Sequence, residues 1–489
     1  MSEEEPKLTK KKRFGWAEQE RFAALTGDYN PMHMDEVASR RTAAAAPVVH
    51  GMHTLLWSLD TLAEHGVLAS VPERLKVKFA RWTYVGDEVE VYWSEEAGNP
   101  QRVRVEMQGM LVLTADLGYG DLAESGVGHP SPREPRKQAV ERTFAELENL
   151  TGVAFTAPAE HAAVMFPALA ALARCGGADG GALVAELAAC SYIVGMEAPG
   201  LHSMFSRLDV RLRASGRGDD RRTGVSFSVQ SIDPRFRKGR IAVEGRTIAG
   251  LLEAFVRQPP VAQPTLTEIS ERVNPSEFAG VRALIVGGSR GLGELTAKLL
   301  VAGGAERLWI TYRSGKADAE QLVEELRGSG TPVELLAYDV RQAAGMQLEG
   351  LNGMPTQLYY FATNPIFQPR AEVMSKRVLE EFLRFYVYGF YELCGELRKR
   401  REASGRLVAY YPSSIAVEER PVGLTEYAMA KAAGEQMCRD MNLQMPDLRI
   451  VSSRLPRLRT DQTATVVPER EEDSVRVLLA IVREMMRSE

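Results

Sequence analysis

Three side chains in the C-terminal part of the sequence have the types and the spacing of a proton-transfer site. Ser414 directly follows an apolar run, Tyr427 lies thirteen residues further on, and Lys431 stands four residues after the tyrosine in an alanine-rich stretch. Residues four apart share one helix face, so the lysine ammonium can sit beside the phenol and lower its pKa. Tyr427 can then exchange a proton with a substrate oxygen to which Ser414 donates a hydrogen bond. By itself, the Tyr/Lys pair also fits an ordinary solvated helix face.

A glycine-rich turn upstream has the features of a phosphate-binding loop. Residues 284–293 read LIVGGSRGLG, an apolar run followed by glycines, and a helical pattern continues beyond them. Glycines let the backbone approach a phosphate, and a helix N-terminus offers unpaired N–H groups and a partial positive charge. Such a turn occurs between many strands and helices, so alone it identifies no ligand. The residues expected to hold a cofactor are Gly287, Ser289, Arg290, Gly291, Leu292 and Gly293.

Strand-like and helical patterns alternate around this turn, and the alternation predicts a parallel sheet. The stretches are 282–286, 292–302, 307–312, 318–326 and 333–338. The glycine loop, the serine and the Tyr/Lys pair, in this order, resemble the short-chain dehydrogenase/reductase family over residues 278–489. The resemblance implies an α/β Rossmann-type, doubly wound parallel sheet. It also implies that Tyr427 is the acid, that Lys431 tunes it and holds the cofactor ribose, and that Ser414 orients the carbonyl.

The second predicted strand of this region bears on the choice of dinucleotide. It ends in Arg313, and no Asp or Glu stands where a ribose hydroxyl would be held. Arg313 and Arg290 can instead meet a 2′-phosphate, which favours NADP(H), although two solvated arginines would look the same in sequence. The family resemblance further implies that Asp339 lies on the adenine side and that Thr460 binds the cofactor amide.

Two positions depart from the pattern of this family. Tyr386 stands where the family carries a catalytic Asn, which puts the usual proton relay from Lys431 through that Asn in doubt. Arg457 follows Pro456 where Pro-Gly is usual. Because the serine, the tyrosine and the lysine are all present, activity is still expected, in a slow or narrow form.

The N-terminal part carries a second set of reactive side chains, Asp28, Asn30 and His33, around Pro31. Pro31 bars regular helix and pushes Asn30 out of the α region, so Asp28 and His33 are expected to project from an irregular loop. A carboxylate can orient a water while an imidazole exchanges its proton, which adds water to a double bond or removes it from an alcohol. The N–H of Gly51, near a predicted helix start, can polarise a thioester carbonyl. A turn capped by Asp and Asn side chains fits the same residues.

A longer string extends this second set. Residues 22–33 read FAALTGDYNPMH and residues 49–52 read VHGM. Together they are similar to the (R)-specific enoyl-CoA hydratase family, MaoC-like proteins with the hot-dog fold, over residues 8–121. The resemblance implies an α+β hot-dog domain. The site residues that it implies are the catalytic pair Asp28 and His33, the supporting Asn30 and the thioester donor Gly51.

A second region of similar size, residues 141–257, repeats the order of helix and then strands without a second Gly-Asp-x-Asn-Pro-x-His string. A double hot-dog with one catalytic and one non-catalytic half would explain the repeat, and the catalytic half would need this neighbour to close its substrate channel. The stretches 121–140 and 257–279 are rich in proline and charge and are expected to be linkers.

Composition narrows the possible functions. The 489 residues carry a formal net charge of −5, which gives no basic footprint for nucleic acid. The basic cluster at 10–13 is expected to be a frayed, solvated end, and no run suggests a membrane span or a signal peptide. Four scattered cysteines indicate unpaired thiols in the cytoplasm. The seven histidines form no zinc pattern, and His50 and His53 are expected to pack or to cap a helix.

Together these patterns predict a bifunctional enzyme. It would be an NADPH-dependent 3-oxoacyl-thioester reductase and a 3-hydroxyacyl-thioester dehydratase (enoyl hydratase) in fatty-acid-like or polyketide-like chain metabolism. The carrier can be CoA or an acyl-carrier protein, and the acyl chain and direction stay open. A homo-oligomer is expected because both families usually associate. Two alternatives remain: a hydratase whose second domain only binds dinucleotide, and a non-catalytic scaffold that docks an acyl-carrier protein.

Overall fold

The chain folds into two compact units with a boundary between Pro259 and Pro260. A computed structural model describes residues 7–96, 99–124, 130–214, 224–367, 373–401, 405–463 and 471–488. The boundary lies near the start of the stretch 257–279, which the sequence predicts to be a linker. All four cysteines are free thiols.

The first unit is built on one sheet of eleven strands, in which β6 pairs with β8 beside the path β1-β3-β4-β5-β2-β8-β11-β10-β9-β7. Its N-terminal half comprises β1 (Lys7–Arg13), α1 (Trp16–Thr26), α2 (Pro31–Met34), α3 (Glu36–Ser39), α4 (Gly51–Glu64), β2 (Arg74–Phe79), β3 (Glu88–Glu96), β4 (Asn99–Met107), β5 (Met110–Gly118) and β6 (Ala123–Glu124). Its C-terminal half comprises α5 (Phe144–Leu147), β7 (Thr151–Val153), α6 (Ala159–Met165), α7 (Pro167–Cys175), α8 (Gly180–Tyr192), a π-helical turn (Ile193–Glu197), β8 (Ser203–Ala214), β9 (Ser226–Asp233), β10 (Lys238–Glu244) and β11 (Ile248–Val256).

The two halves of the first unit repeat one arrangement, a long helix followed by four antiparallel strands. In the first half α4 precedes β2 to β5, and in the second half α8 precedes β8 to β11. Antiparallel pairing of β2 with β8, in which Val77 lies opposite Leu208, joins the halves into one sheet. The helices α4 and α8 pack on each other within a single apolar core. A buried long helix against an antiparallel sheet is the hot-dog arrangement, so the predicted α+β class is confirmed.

The basic cluster at 10–13 is not a frayed end, and that prediction was wrong. It lies in β1, which pairs with β3 along the edge of the sheet. Lys10 forms an ion pair of 2.9 Å with Glu64, and Lys12 forms one of 2.8 Å with Glu18. The strand is ordered because its backbone completes the sheet edge and its positive charges each find a glutamate.

The irregular loop predicted around His33 is also wrong in part, because His33 lies on the one-turn helix α2. Pro31 occupies the first position of α2, where the missing N–H costs nothing since first-turn N–H groups have no partner within the helix. Asn30 stays outside the α region as predicted, with φ −54° and ψ 128°. The helix start that the sequence predicts near Gly51 is confirmed, because Gly51 is the first residue of α4.

One stretch of the first unit is long and apolar enough to cross a membrane, although the sequence led us to expect none. The stretch Gly180–Glu197 has 18 residues and comprises α8 and the π-helical turn. All of it is buried inside the unit. A helix that is apolar all round is what the centre of a folded core requires, so burial accounts for its composition.

The second unit is a six-stranded parallel sheet with helices between the strands. Its elements are α9 (Leu266–Ser270), β12 (Arg282–Val286), α10 (Gly291–Ala302), β13 (Arg307–Tyr312), α11 (Lys316–Leu326), β14 (Val333–Ala337), α12 (Ala344–Gln347), a 3₁₀ turn (Leu348–Gly350), β15 (Gln357–Tyr360), α13 (Lys376–Leu383), a π-helical turn (Arg384–Tyr388), α14 (Gly389–Arg400), β16 (Leu407–Ser414), α15 (Ala416–Glu419), α16 (Thr425–Gln444), β17 (Leu448–Leu455) and α17 (Ser474–Arg487). The stretch 257–279 therefore contains a helix, α9.

The strand order of this sheet is β14-β13-β12-β15-β16-β17, and all pairs are parallel. This is the doubly wound Rossmann order. The order in which strands are added to the sheet reverses between β12 and β15. Alternate residues of β12 belong to different apolar clusters, Ala283 and Ile285 to one and Leu284 and Val286 to the other. Both faces of the sheet are thus covered, and the predicted α/β class is confirmed.

Gly27, which ends α1 just before Asp28, offers a test of how closely the two halves pack. Its φ is +72°, and a Cβ there would lie 2.9 Å from the Phe155 ring and 3.2 Å from the Tyr192 ring of the second half. Gly66 has a similar φ of +67° with nothing within 4 Å, so it is a matched control. We expect Gly66→Ala to cost only left-handed strain, about 1–2 kcal/mol. Gly27→Ala should lower the calorimetric Tm of the full chain clearly further, and equal shifts would contradict this packing.

Candidate active sites

The carboxylate of Asp28 is buried directly after α1. Its backbone N–H donates to Thr26 Oγ1 at 3.2 Å. One carboxylate oxygen, Oδ1, accepts the Asn30 backbone N–H at 3.2 Å. Asn30 in turn caps α2, because its Oδ1 accepts the Met32 N–H at 3.0 Å. These local side-chain bonds hold the Asp28 carboxylate in a fixed position relative to α2.

His33 lines one cavity together with Asp28. Its Nδ1 lies 2.8 Å from the carbonyl oxygen of Val48. A carbonyl oxygen can only accept, so Nδ1 carries the proton and Nε2 is left as a free acceptor. Burial lowers the pKa of His33 and raises the pKa of Asp28. The imidazole is therefore neutral at pH 7, as a proton acceptor must be.

His50 and His53 are buried and pack against aromatic rings, as predicted. His53 stacks on Phe22 with ring centroids 4.5 Å apart, and His50 stacks on His33 at 4.0 Å. His50 is the N-cap residue of α4, but its side chain makes no capping bond. Its Nε2 lies instead 3.0 Å from the Asp28 carbonyl oxygen and holds the chain there. No feature of the sequence indicated this contact.

The cavity extends to the N-terminus of α4. Gly51 is the first residue of α4 and lines the cavity with Asp28 and His33. The first N–H groups of a helix have no partner within the helix and carry a partial positive charge. The Phe79 ring would lie 3.0 Å from a Cβ at position 51, so a larger residue would crowd the wall. The role of Gly51 as a thioester donor stays a prediction.

The second half of the unit reaches into this site through two residues, Ser191 and Gly195, which sequence reasoning missed. The Ser191 hydroxyl, on α8, donates to Asp28 Oδ2 at 2.7 Å. The Asn30 side-chain amide donates to the Gly195 carbonyl oxygen at 2.8 Å. Ser191 and Gly195 belong to no motif, and they lie more than 160 residues from their partners, so the sequence carried no signal for them.

In the second unit, the glycine loop connects β12 to α10 as predicted. The Gly287 N–H donates to Thr311 Oγ1 at 3.0 Å, which fixes the turn against β13. Arg290 is the N-cap residue of α10, and its guanidinium pairs with Asp461 at 2.9 Å. The predicted contact of Arg290 with a 2′-phosphate would therefore compete with this ion pair.

The other predicted cofactor residues lie at the carboxyl ends of strands, where nucleotides bind in this fold. Asp339 follows β14, and its carboxylate accepts from the backbone N–H and the guanidinium of Arg341, which together lower its pKa. Arg313 follows β13, is exposed, and also acts electrostatically on Asp339. Thr460 follows β17, and its N–H donates to Thr463 Oγ1 at 2.9 Å.

The structure brings Ser414, Tyr427 and Lys431 together, at the end of β16 and along α16. The side chains of Ser414 and Tyr427 are hydrogen-bonded to each other. The Lys431 ammonium donates to the Pro412 carbonyl oxygen at 2.6 Å. Tyr427 is 9% exposed and Lys431 is 4% exposed, so both reactive groups lie in the interior.

The expected lowering of the tyrosine pKa is wrong for this structure. Burial raises the pKa of Tyr427, and only its hydrogen bond with Ser414 acts in the other direction. Burial also lowers the pKa of Lys431 to about 7, because no carboxylate compensates its charge among the residues that the structure describes. An ammonium that is itself destabilised by burial cannot strongly favour the phenolate.

Tyr386, which replaces the family's Asn, takes up the space beside Lys431. The ammonium lies 3.7 Å from the centroid of the Tyr386 ring, a cation–π contact. The Tyr386 hydroxyl makes a short hydrogen bond with Thr363 Oγ1, and the ring is 1% exposed. An aromatic face thus covers Lys431 where a relay through Asn and water would run, so the doubt raised by the sequence gains a structural cause.

Known proteins resemble the two ends of the chain. The model of the MaoC like domain matches residues 2–115, and the model of the KR domain matches residues 282–349. The (R)-specific enoyl-CoA hydratase of Aeromonas caviae is 41% identical over 85 residues, which cover 16% of this chain and 59% of that protein. Short chain dehydrogenase penD of Penicillium thymicola is 26% identical over 188 residues, covering 36% of this chain and 67% of that protein.

One solved structure is also similar to part of the chain. A putative short chain dehydrogenase from Pseudomonas syringae has 18% sequence identity and a TM-score of 0.39, and the match covers 44% of this chain and 92% of that one. The chain joins a MaoC-like domain at its N-terminus to a KR-type short-chain dehydrogenase/reductase domain at its C-terminus.

The burial of Lys431 predicts a pH dependence of stability. Its pKa is about 7 in the folded chain and about 10.5 in the unfolded chain, so the penalty for burying the ammonium is full below pH 7 and vanishes as the pH approaches 10.5. We expect the wild type to gain stability relative to Lys431→Met as the pH rises from 7 to 10, measured as Tm.

A second buried lysine is the control for this measurement. Lys298 is 2% exposed and pairs with Glu294 at 2.8 Å and Glu325 at 2.9 Å. Lys298→Met should destabilise the chain across the same pH range because two carboxylates lose their partner. A Tm difference between wild type and Lys431→Met that does not change with pH would show that Lys431 is not destabilised by burial.

Proposed function

We propose that this protein is a bifunctional enzyme of acyl thioesters, a 3-hydroxyacyl dehydratase (or enoyl hydratase) joined to an NADPH-dependent 3-oxoacyl reductase. The observation that carries the proposal is the placement of Asp28 and a neutral His33 on one cavity whose end is the N-terminus of α4. The resemblance of the second unit to short-chain dehydrogenases supports the reductase part. The two reactions act on successive intermediates, since reduction of a 3-oxoacyl group yields the 3-hydroxyacyl group that dehydration consumes.

In the hydratase reaction, Asp28 and His33 would share one water. The Asp28 carboxylate would orient the water, and the free Nε2 of His33 would accept one of its protons. The oxygen of the water would then add to C3 of the enoyl group. The thioester carbonyl would face the first N–H groups of α4, at Gly51, which stabilise the enolate that forms. The proton that His33 took from the water would then pass to C2 of the enolate, which completes the addition of water. Dehydration follows the same steps in reverse.

In the reductase reaction, hydride would pass from NADPH to C3 of the 3-oxoacyl group. Ser414 orients the carbonyl, Tyr427 donates the proton to its oxygen, and Lys431 supports the tyrosine and the cofactor ribose. Arg313, which is exposed after β13, favours the 2′-phosphate of NADPH, and Arg290 would have to leave its ion pair with Asp461 to join it. The thioester carrier is CoA or an acyl-carrier protein, and the cytoplasm and a homo-oligomeric state are proposed with it.

The hydratase part is tested by hydration of a short trans-2-enoyl thioester, followed by loss of enoyl absorbance. Asp28→Asn should reduce kcat about a hundredfold, because the carboxylate that orients the attacking water is lost. Asp60→Asn is the control, since Asp60 is a half-buried carboxylate on α4 whose Oδ1 accepts the Leu169 N–H outside the cavity. Equal activity of the two variants would exclude Asp28 from the chemistry.

The reductase part is tested by NADPH oxidation with a short 3-oxoacyl thioester. Tyr427→Phe should abolish NADPH consumption, because the phenol is the proton donor, and leave hydration unchanged. Tyr410→Phe is the control, since the Tyr410 hydroxyl lies on the same strand as Ser414 and bonds to Ser453 at 2.9 Å. NADPH consumption that survives in Tyr427→Phe would contradict the proposed donor.

One alternative has an observation in its favour. Tyr386 covers Lys431, which favours a second unit that binds dinucleotide without turning it over. In that case NADPH would bind to the wild type, measured by fluorescence, but no 3-oxoacyl thioester would be reduced. The hydratase reaction would then be the activity of the chain.

A further inference from the structure

We propose that Ser191, in the half of the first unit that carries no catalytic motif, is a positioning residue for Asp28. The inference rests on the proposed hydratase function and deepens it, because it assigns the second half a part in the chemistry. The Ser191 hydroxyl donates to Asp28 Oδ2 at 2.7 Å, and Ser191 is 4% exposed on the central helix α8. The bond crosses between the two halves of the unit.

The bond gives the second carboxylate oxygen of Asp28 a donor from the protein. Oδ1 of Asp28 accepts the Asn30 N–H from its own loop, and Oδ2 accepts the Ser191 hydroxyl from the other side. Because both oxygens accept a hydrogen bond, the carboxylate group is restrained from rotating about the Cβ–Cγ bond of Asp28. The remaining lone pairs of its oxygens therefore point in a fixed direction. A group that orients a water needs this restraint, since small displacements of reacting atoms are costly.

The backbone after α8 is also shaped to meet this carboxylate. A Cβ at Gly195, in the π-helical turn, would lie 2.3 Å from Asp28 Oδ1. The Gly195 carbonyl oxygen accepts the Asn30 side-chain amide at 2.8 Å. A π-helical turn often marks a functional position in a helix, and here it brings main chain against the reactive group without a side chain between them. Asp28 and Asn30 thus both have partners in the second half.

The charged and titratable side chains near Asp28 belong to the first half of the unit and to the residue that follows β11. His33 faces it from α2, and His50 Nε2 lies 3.9 Å from Asp28 Oδ2. Arg257, just after β11, acts on His33. The Ser191 bond stabilises the ionised carboxylate, which burial disfavours, so its loss should raise the pKa of Asp28 further.

The test compares Ser191→Ala with Ser58→Ala in the full chain. Ser58 is the buried serine of the other central helix, α4, and its hydroxyl bonds to the Thr54 carbonyl oxygen within that helix. Ser191→Ala should lower kcat for enoyl hydration roughly ten- to a hundredfold. It should also move the acidic limb of the rate profile up by about one pH unit, the effect of one hydrogen bond to a charged group. Ser58→Ala should change neither, and Ser191→Thr should restore part of the rate.

A second readout does not depend on turnover. Ionisation of Asp28 in the folded chain is harder without the Ser191 hydroxyl, whereas the unfolded carboxylate ionises at its ordinary pKa in every variant. The Tm of Ser191→Ala should therefore fall further below that of the wild type as the pH rises from 4 to 8. The Tm difference for Ser58→Ala should stay constant over this range.

The outcomes separate this inference from the proposed function. A wild type that hydrates no enoyl thioester refutes the function, and the Tm comparison still decides whether Ser191 acts on Asp28. An active wild type with Ser191→Ala unchanged in rate and pH profile overturns the positioning role. A rate loss without a pH shift, or a Tm difference that is independent of pH, would show that Ser191 only packs, and would also overturn it.

Discussion

A carboxylate that is 1% exposed needs hydrogen bonds to make up for the water it has lost, and the first unit is arranged around how Asp28 obtains them. One carboxylate oxygen accepts a hydrogen bond from its own loop, and the other accepts one from a helix of the opposite half. The donors can meet only if the two halves are fixed relative to each other. The continuous sheet across β2 and β8, and the shared core of α4 and α8, provide that rigidity. The second half carries no such catalytic motif, yet it is part of the site through the Ser191 bond.

The second unit meets the opposite electrostatic problem at Lys431. A buried ammonium without a carboxylate, among the residues that the structure describes, is held by a carbonyl oxygen and by the face of Tyr386. Neither partner compensates a full charge, so the pKa falls to about 7. The charge that should assist Tyr427 is then only partly present at neutral pH. A single substitution in a π-helical turn, Tyr for the Asn of the family, is the structural reason to expect a slow or pH-sensitive reductase.

The two sites also differ in what holds their reactive groups. Asp28 and His33 are fixed by hydrogen bonds to main chain and hydroxyl groups, which define the tautomer of the imidazole and the direction of the carboxylate. Lys431 is held in place by the face of Tyr386 and by one carbonyl oxygen, but these two contacts do not offset the effect of burial on its pKa. This contrast favours the hydratase site as the better-organised of the two.

The sequence by itself determined the two fold classes, and it predicted the motif residues of both candidate sites. Apolar periodicity and glycine turns are local, and so is the spacing from Tyr427 to Lys431, so a short window of sequence carried them. The sequence also pointed to Tyr386 as the position where the reductase departs from its family. It misjudged β1 and α2, because the sheet edge that orders β1 and the capping that orders α2 depend on partners that periodicity does not reveal.

Only the tertiary structure decided the contacts between distant parts of the chain and the pKa shifts that follow from burial. The Ser191 bond to Asp28, the pairing of Arg290 with Asp461 and the raised pKa of Tyr427 belong to this group. Each depends on groups far apart in sequence, or on the loss of water around a group. The spacing of residues encodes neither the long-range contacts nor the loss of water, because both arise only when the chain folds and packs.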